Sequence, residues 1–266
     1  MPGVAFDWIE IASTGTEYAF FTPDNDRCYH TAFPFDFTLY GRHLTQASIS
    51  TNGTLYFPDP AGYTNYLMGW DNAPIPSAYT YSGYDFQQFV ALFWDDLYLM
   101  PGRIYYQVLG AAPNRRVVIE YANVTRHASV TQPGDTGSFE MIFYEGSHAL
   151  LMQYKDVDFD NPLFDRGASA TIGVQGTFTM GIQYGYNAPS LSNELAILYL
   201  PPSSTHTYLA TFADITFAVT TPLTESAYIT NTATITASTG AVYERSALVF
   251  PVRGRVYLPI VYKALP

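Results

Sequence analysis

Apolar residues in this chain recur at every second position, and each short run is fenced by Gly, Pro, Asn or Asp. The runs include Phe33-Pro-Phe-Asp-Phe37, Leu92-Phe-Trp-Asp-Asp96, Asn114-Arg-Arg-Val-Val-Ile-Glu-Tyr121 and residues 139–146. A two-residue period puts alternate side chains on opposite faces of an extended backbone, which is the pattern of a β-strand packed on one side. No dozen-residue window keeps apolar positions at i, i+3, i+4 and i+7 without a breaker, so helices are not expected. The chain is therefore expected to be all-β.

Strands are predicted over residues 4–13, 33–40, 47–57, 89–95, 102–109, 116–124, 138–145, 149–158, 169–175, 181–186 and 195–200. The turns at 109–114 and 145–148 are short enough only for antiparallel hairpins. Together these predict an antiparallel β-sandwich of jelly-roll or lectin-like type over residues 1–203. Residues 58–88, rich in Tyr, Gly, Pro and Asn, read as a long functional loop. Pro201-Pro-Ser-Ser204 reads as a boundary. Four more strands (214–220, 227–237, 242–252, 256–262) then predict a smaller immunoglobulin-like module over 204–266, short of the seven or so strands such a sandwich needs.

Charge narrows the function. Only 13% of the 266 residues are charged and the net charge is −11, with Lys155 and Lys263 the only lysines. Nothing here can neutralise a phosphate backbone, so nucleic acid is excluded as a partner. Aromatic residues make up 17% of the chain, and a surface poor in charge must be covered by them and by neutral polar groups, as in lectin-like domains and packed subunits. One cysteine, Cys28, allows no internal disulfide. No run is long enough for a membrane span, and the first residues lack a signal peptide's basic and apolar regions. The sequence is read as a trimmed, exported form.

In order, the segments quoted above, with Trp8-Ile-Glu-Ile-Ala-Ser-Thr-Gly-Thr16 ahead of them, Ile49-Ser-Thr-Asn-Gly53 between them and residues 167–176 after them, resemble a bacterial extracellular domain akin to the nidogen-type (NIDO) domain. The likeness covers roughly residues 6–200. It implies an accessory β-sandwich in surface, adhesive or matrix proteins and brings no catalytic residues. Tyr228-Ile-Thr-Asn-Thr-Ala-Thr-Ile-Thr236 resembles part of the immunoglobulin-like repeats of bacterial surface proteins, and Val256-Tyr-Leu-Pro-Ile-Val-Tyr-Lys263 is similar to a terminal segment of exported ones.

Four groups of residues are candidates for chemistry or contact. Asp95 and Asp96 end a strand and, with Asp24 and Asp26 from an earlier loop, form a candidate calcium site, with turn hydrogen bonds as the structural alternative. Trp70, Tyr63, Tyr66 and Tyr81 in the long loop are candidate glycan contacts, because aromatic faces stack on apolar sugar surface. Val256, Leu258, Ile260 and Tyr262 share one face of the last strand, while Pro259 bars it from the middle of a ladder. That is the pattern of a strand donated to a neighbouring copy, with residues 4–11 as the other candidate donor. Asp156, Asp158 and Asp160 alternate as in some β-glucan hydrolases, though these use Glu at the outer positions. Asp135-Thr-Gly-Ser138 matches an aspartic-protease motif but occurs once, where catalysis needs two. Scattered histidines offer no zinc site. Asn52 and Asn123 head glycosylation sequons. The expected function is a non-enzymatic structural protein at the cell surface or outside the cell, a filament or matrix subunit that polymerises with itself by strand donation and aromatic contacts. A carbohydrate-binding adhesion module is the alternative, and no cofactor beyond calcium is expected.

Overall fold

The structure, a computed structural model, describes residues 4–18, 26–58, 68–127, 136–201 and, as backbone, 229–236, 242–249 and 260–263. The chain divides into two compact units: Met1–Pro201 with Pro259–Pro266, and Pro202–Leu258. Within the second unit, strands Ile229–Thr236 and Val242–Val249 pair as an antiparallel hairpin.

The first unit is an antiparallel β-sandwich. Its strands are β1 (Thr16–Glu17), β2 (Cys28–Leu39), β3 (Arg42–Ser50), β4 (Thr54–Tyr56), β5 (Thr80–Tyr81), β6 (Tyr84–Asp85), β7 (Phe89–Trp94), β8 (Leu97–Tyr98), β9 (Arg103–Leu109), β10 (Arg116–Arg126), β11 (Gly137–Tyr144), β12 (Leu150–Asp156), β13 (Thr171–Thr177), β14 (Met180–Tyr186) and β15 (Leu195–Leu200). With the second unit's pair as β16 and β17, the last strand is β18 (Ile260–Lys263). Sheet one runs β1-β9-β10-β11-β12-β15-β18, with β8 also on β10; sheet two runs β14-β13-β7-β4-β3-β2.

Aromatic rings from both sheets fill the space between them. Phe33 and Phe37 of sheet two meet Phe143 of sheet one edge-on at 5.2 and 5.1 Å, and Phe93 stacks on Phe139 at 5.0 Å. Two fully buried tyrosines of sheet one satisfy their hydroxyls on backbone of sheet two: Tyr121 Oη donates to Ser50 O (2.6 Å) and Tyr154 Oη to Leu92 O (2.8 Å). A buried hydroxyl without a partner would cost about 1–3 kcal/mol, so these bonds also fix how the sheets register.

Strands β7, β10 and β11 are buried on both faces, which explains why they read as nearly continuous apolar runs. Two covers do this. Residues 68–86 pack Met68, Ile75, Tyr79 and Phe86 on the outer face of sheet two. Residues 4–11 place Val4, Phe6, Ile9 and Ile11 on the outer face of sheet one. The predicted strand over 4–13 is corrected: residues 4–11 join no ladder, because side chains of the sheet take the N–H groups of Asp7, Ile9 and Ile11, and residues 12–14 turn.

Candidate functional site

The turn between β3 and β4 meets the end of β7 in an arrangement only glycine permits. Gly53 sits at φ +71°, and a Cβ there would lie 1.9 Å from Phe93 O. Gly53 O accepts from both Leu92 N (3.0 Å) and Phe93 N (3.1 Å), so two residues of β7 oppose one across the ladder, a β-bulge. The bulge lets Leu92 and Phe93 both join the inner core and turns Trp94 to the outer cluster. Just past it, the chain delivers Asp95 and Asp96.

Asp95 is almost fully buried and saturated. Its Oδ1 accepts from Arg126 Nε at 3.0 Å and from Asp96 N at 2.8 Å, and its Oδ2 accepts from Ser169 Oγ. Arg126 is itself held over the Phe164 ring at 4.1 Å. Asp96 is less well served: Oδ2 lies 3.4 Å from His127 Nδ1, while the buried Oδ1 has no partner. Burial pushes its pKa up; His127 and Arg126 pull it down, and Asp26 and Asp95 push it further up. Asp26 Oδ1 accepts from Asn52 Nδ2 at 3.0 Å, and Asn52 Oδ1, fully buried, is also without a partner.

The structure thus gathers Asp26, Asp95 and Asp96 around Asn52 and Gly53, whereas Asp24 lies outside the described residues. Among the described residues no group of three or more His, Cys, Asp or Glu is placed to hold a metal ion. Burial also removes Asn52 from the glycosylation candidates; Asn123 is exposed, at φ +52° where the β10–β11 register shifts.

The long loop is stapled rather than free. Trp94 Nε1 donates to Gly69 O (2.8 Å), Tyr79 Oη donates to Asp71 Oδ1 (2.6 Å), and Gln175 exchanges two bonds with the Ser77 backbone. The Tyr81 ring closes on Gly69, where any Cβ would meet it at 2.3 Å. Trp70, next along the chain, stays half exposed, and Asp71 and Asp26 act electrostatically on Tyr81. Asp26 and Asp71 are thus near the Tyr81 hydroxyl. Tyr63 and Tyr66 lie outside the described residues.

At the far edge of sheet one, β18 pairs antiparallel with β15, setting Ile260 opposite Leu200 and Tyr262 opposite Leu198. Val256 and Leu258 lie outside the described residues.

The carboxylates with hydrolase-like spacing are spent on loop structure. Strand β12 ends at Asp156, whose Oδ1 accepts from Asp158 N; Asp158 accepts from Asn193 Nδ2; Asp160 turns at φ +52°. Asp165 Oδ1 accepts from Phe159 N and Asn161 N. Of Asp135-Thr-Gly-Ser138, Asp135 lies outside the described residues and Gly137 opens β11.

Sequence reasoning missed one constellation, Glu120, Glu140 and Gln153 beneath residues 4–11. Its signal was present, since each is a lone polar residue inside an otherwise apolar strand run. No helix among the described residues is long and apolar enough to cross a membrane. No match was found among curated proteins or among solved structures. The profile of one family, described as NIDO related, matches residues 4–213, and the chain belongs to that family.

Proposed function

We propose that this protein is a structural subunit of an extracellular or cell-surface matrix, joined copy to copy by exchange of its C-terminal strand. The carrying observation is the place of β18. The chain leaves the sandwich at Pro201, builds a separate unit over Pro202–Leu258, and comes back to supply the last strand of sheet one. Without β18, β15 would present an open edge of unpaired N–H and C=O groups. The same strand from a neighbour would make the same ladder bonds, so linker reach and concentration decide which copy supplies it. Membership in a NIDO-related family and the scarcity of surface charge support an extracellular setting. In this reading aromatic side chains on the surface add contact area, and no carboxylate serves catalysis.

By size-exclusion chromatography and electron microscopy the full chain should form large particles, and chains lacking residues 255–266 should not. Normal assembly of the truncated chain would refute the exchange.

The second reading is a sugar-binding adhesion module, favoured by Trp70, half exposed between Asp71 and Gly69, the latter covered by the Tyr81 ring. Glycan-array binding abolished by Trp70→Ala would select it. In either reading calcium enters at Asp26, Asp96 and Asn52, where two buried oxygens lack partners. Millimolar calcium should then raise the melting temperature and a chelator should reverse it; an unchanged melt would remove calcium from the account.

A further inference from the structure

Residues 4–12 cross the outer face of sheet one as a strap. Beneath it lie Val118, Ile142, Leu151 and Ala196, one from each of β10, β11, β12 and β15. Among these apolar groups runs a polar row at one level across three strands: Glu120 is the register partner of Glu140, and Glu140 of Gln153. The strap offers the N–H groups of alternate residues to that row. Asp7 N donates to Gln153 Oε1 (2.7 Å), Ile9 N to Glu140 Oε1 (3.1 Å) and Ile11 N to Glu120 Oε2 (2.9 Å). Gln153 Nε2 gives back to Asp7 O and to Glu140 Oε1, both at 2.7 Å. The strap is thus read as a neighbouring strand would be, every second amide, except that side chains provide the acceptors. On its outer side Glu10 meets Lys155 at 3.3 Å, and Lys155 sits 5.2 Å from the Trp8 ring.

The strap connects to the sandwich by one tight turn. Ile11 O accepts from Thr14 N (3.1 Å) and Gly15 N (2.7 Å), and a Cβ on Gly15 would stand 2.9 Å from Ile11 O and 3.1 Å from Tyr106 O. We propose that the groove over Glu120, Glu140 and Gln153 is a self-association site whose occupant is the strap of a second copy, exchanged reciprocally through the turn at residues 11–15. The occupant follows from complementarity: amide spacing, apolar residues and the Glu10–Lys155 pair already match this groove to residues 4–12, and every copy carries them. An exchanged strap recovers the same bonds, so only the turn changes conformation.

The groove also carries its own release. Burial raises Glu140 to about 8 and Glu120 to about 7, against the lowering effect of the strap's N–H groups. The other charged or titratable groups facing the pair are Glu10, Asp7, Lys155, Tyr105 and Tyr144, the last with Arg116 beside it. Glu140 Oε2 has no partner. Once both acids ionise, two like charges face each other under the strap, and lifting it lets water reach them. Exchange should therefore quicken as pH rises through neutrality.

The test uses the full chain and is independent of the C-terminal exchange. Equal amounts of nitrogen-15-labelled and unlabelled protein are held together at about pH 8.5, above both carboxyl pKa values, then returned to mildly acidic pH and treated with a carbodiimide. The reagent joins the Glu10 carboxylate to the Lys155 amine as an amide. With Lys263 the only other lysine, the linked peptide is identified unambiguously by mass. Low concentration should give links within one isotope. Near-millimolar wild type, and Gly15→Val with its closed turn obstructed, should move toward half mixed-isotope links, the statistical limit. Mixed links in either chain support the exchange. Their absence from concentrated wild type, with Gly15→Val either lacking them or unfolded, overturns it.

Discussion

Raising the pH should destabilise this protein across the neutral range, and Glu140 should be the main cause. In the unfolded chain its carboxyl titrates near 4.5; folded, burial raises it to about 8, and Glu120 follows to about 7. Between those limits the folded state holds protons the unfolded state has released. The stability these groups contribute is complete below pH 4.5 and is lost as pH climbs through 7 to 8. Each pH unit of the gap is worth about 1.4 kcal/mol, giving Glu140 a ceiling of about 5 kcal/mol. Solvent screening discounts Glu120 further, so the pair should account for a loss on the order of 3–5 kcal/mol. Urea unfolding followed by tryptophan fluorescence at pH 5.5 and 8.5 measures it. Glu140→Gln keeps an acceptor for Ile9 N but cannot ionise, so its stability should change far less between the two conditions. Two other groups do not confuse the comparison. Arg115 holds Glu145 down at about 2, ionised throughout, and burial keeps His30 below its ordinary value, an opposite effect below pH 6.5 that both chains share. Parallel stability curves for wild type and Glu140→Gln would refute the reasoning, since the buried acid would then carry no proton at neutral pH.

Other substitutions test the remaining joints. Arg126→Met should cost about 3–5 kcal/mol in urea, because Asp95 is left as a buried charge without its cation; a loss under 1 kcal/mol would mean that water replaces the guanidinium. Tyr154→Phe should cost about 1–2 kcal/mol with an unchanged circular dichroism spectrum, since Leu92 O loses its hydroxyl partner. Gly53→Ala should abolish soluble expression, while Gly41→Ala, also at positive φ but with open space at its Cβ, should cost only about 1 kcal/mol. Equal outcomes for the two would show that backbone strain alone governs Gly53. In a glycosylating host, mass spectrometry should find sugar on Asn123 and none on the buried Asn52.

Ladder strands were legible because their pattern is local: Phe139, Met141 and Phe143 alternate toward the inner core whichever strand lies beside them. Period also distinguishes faces, but it cannot identify what satisfies an amide. Residues 4–13 carry the alternation of a strand, yet residues 12–14 turn, and the groups that bond Asp7, Ile9 and Ile11 are Gln153, Glu140 and Glu120, more than a hundred residues away in sequence. The same limit applied to the candidate site. Asp95 and Asp96 are the sort of residues that bind cations, and the sequence could bring Asp26 toward them only as a conjecture. What it could not contain was Arg126, five residues past Tyr121 on β10, arriving to neutralise Asp95 while Asp96 Oδ1 is left unserved. Three aromatic residues in or against the described half of the long loop divide by their partners: Tyr79 finds Asp71 and is buried, Trp94 of β7 finds Gly69 O and is buried, and Trp70 finds neither and stays half exposed. Composition therefore announces that aromatic residues will form contacts, whereas the hydrogen-bond partner decides whether each contact is made inside the fold or kept for another molecule. By that criterion Trp70 is, among the described loop residues, the aromatic one with most to offer a partner, and the strap and β18 are segments whose bonds a second copy could reproduce unchanged.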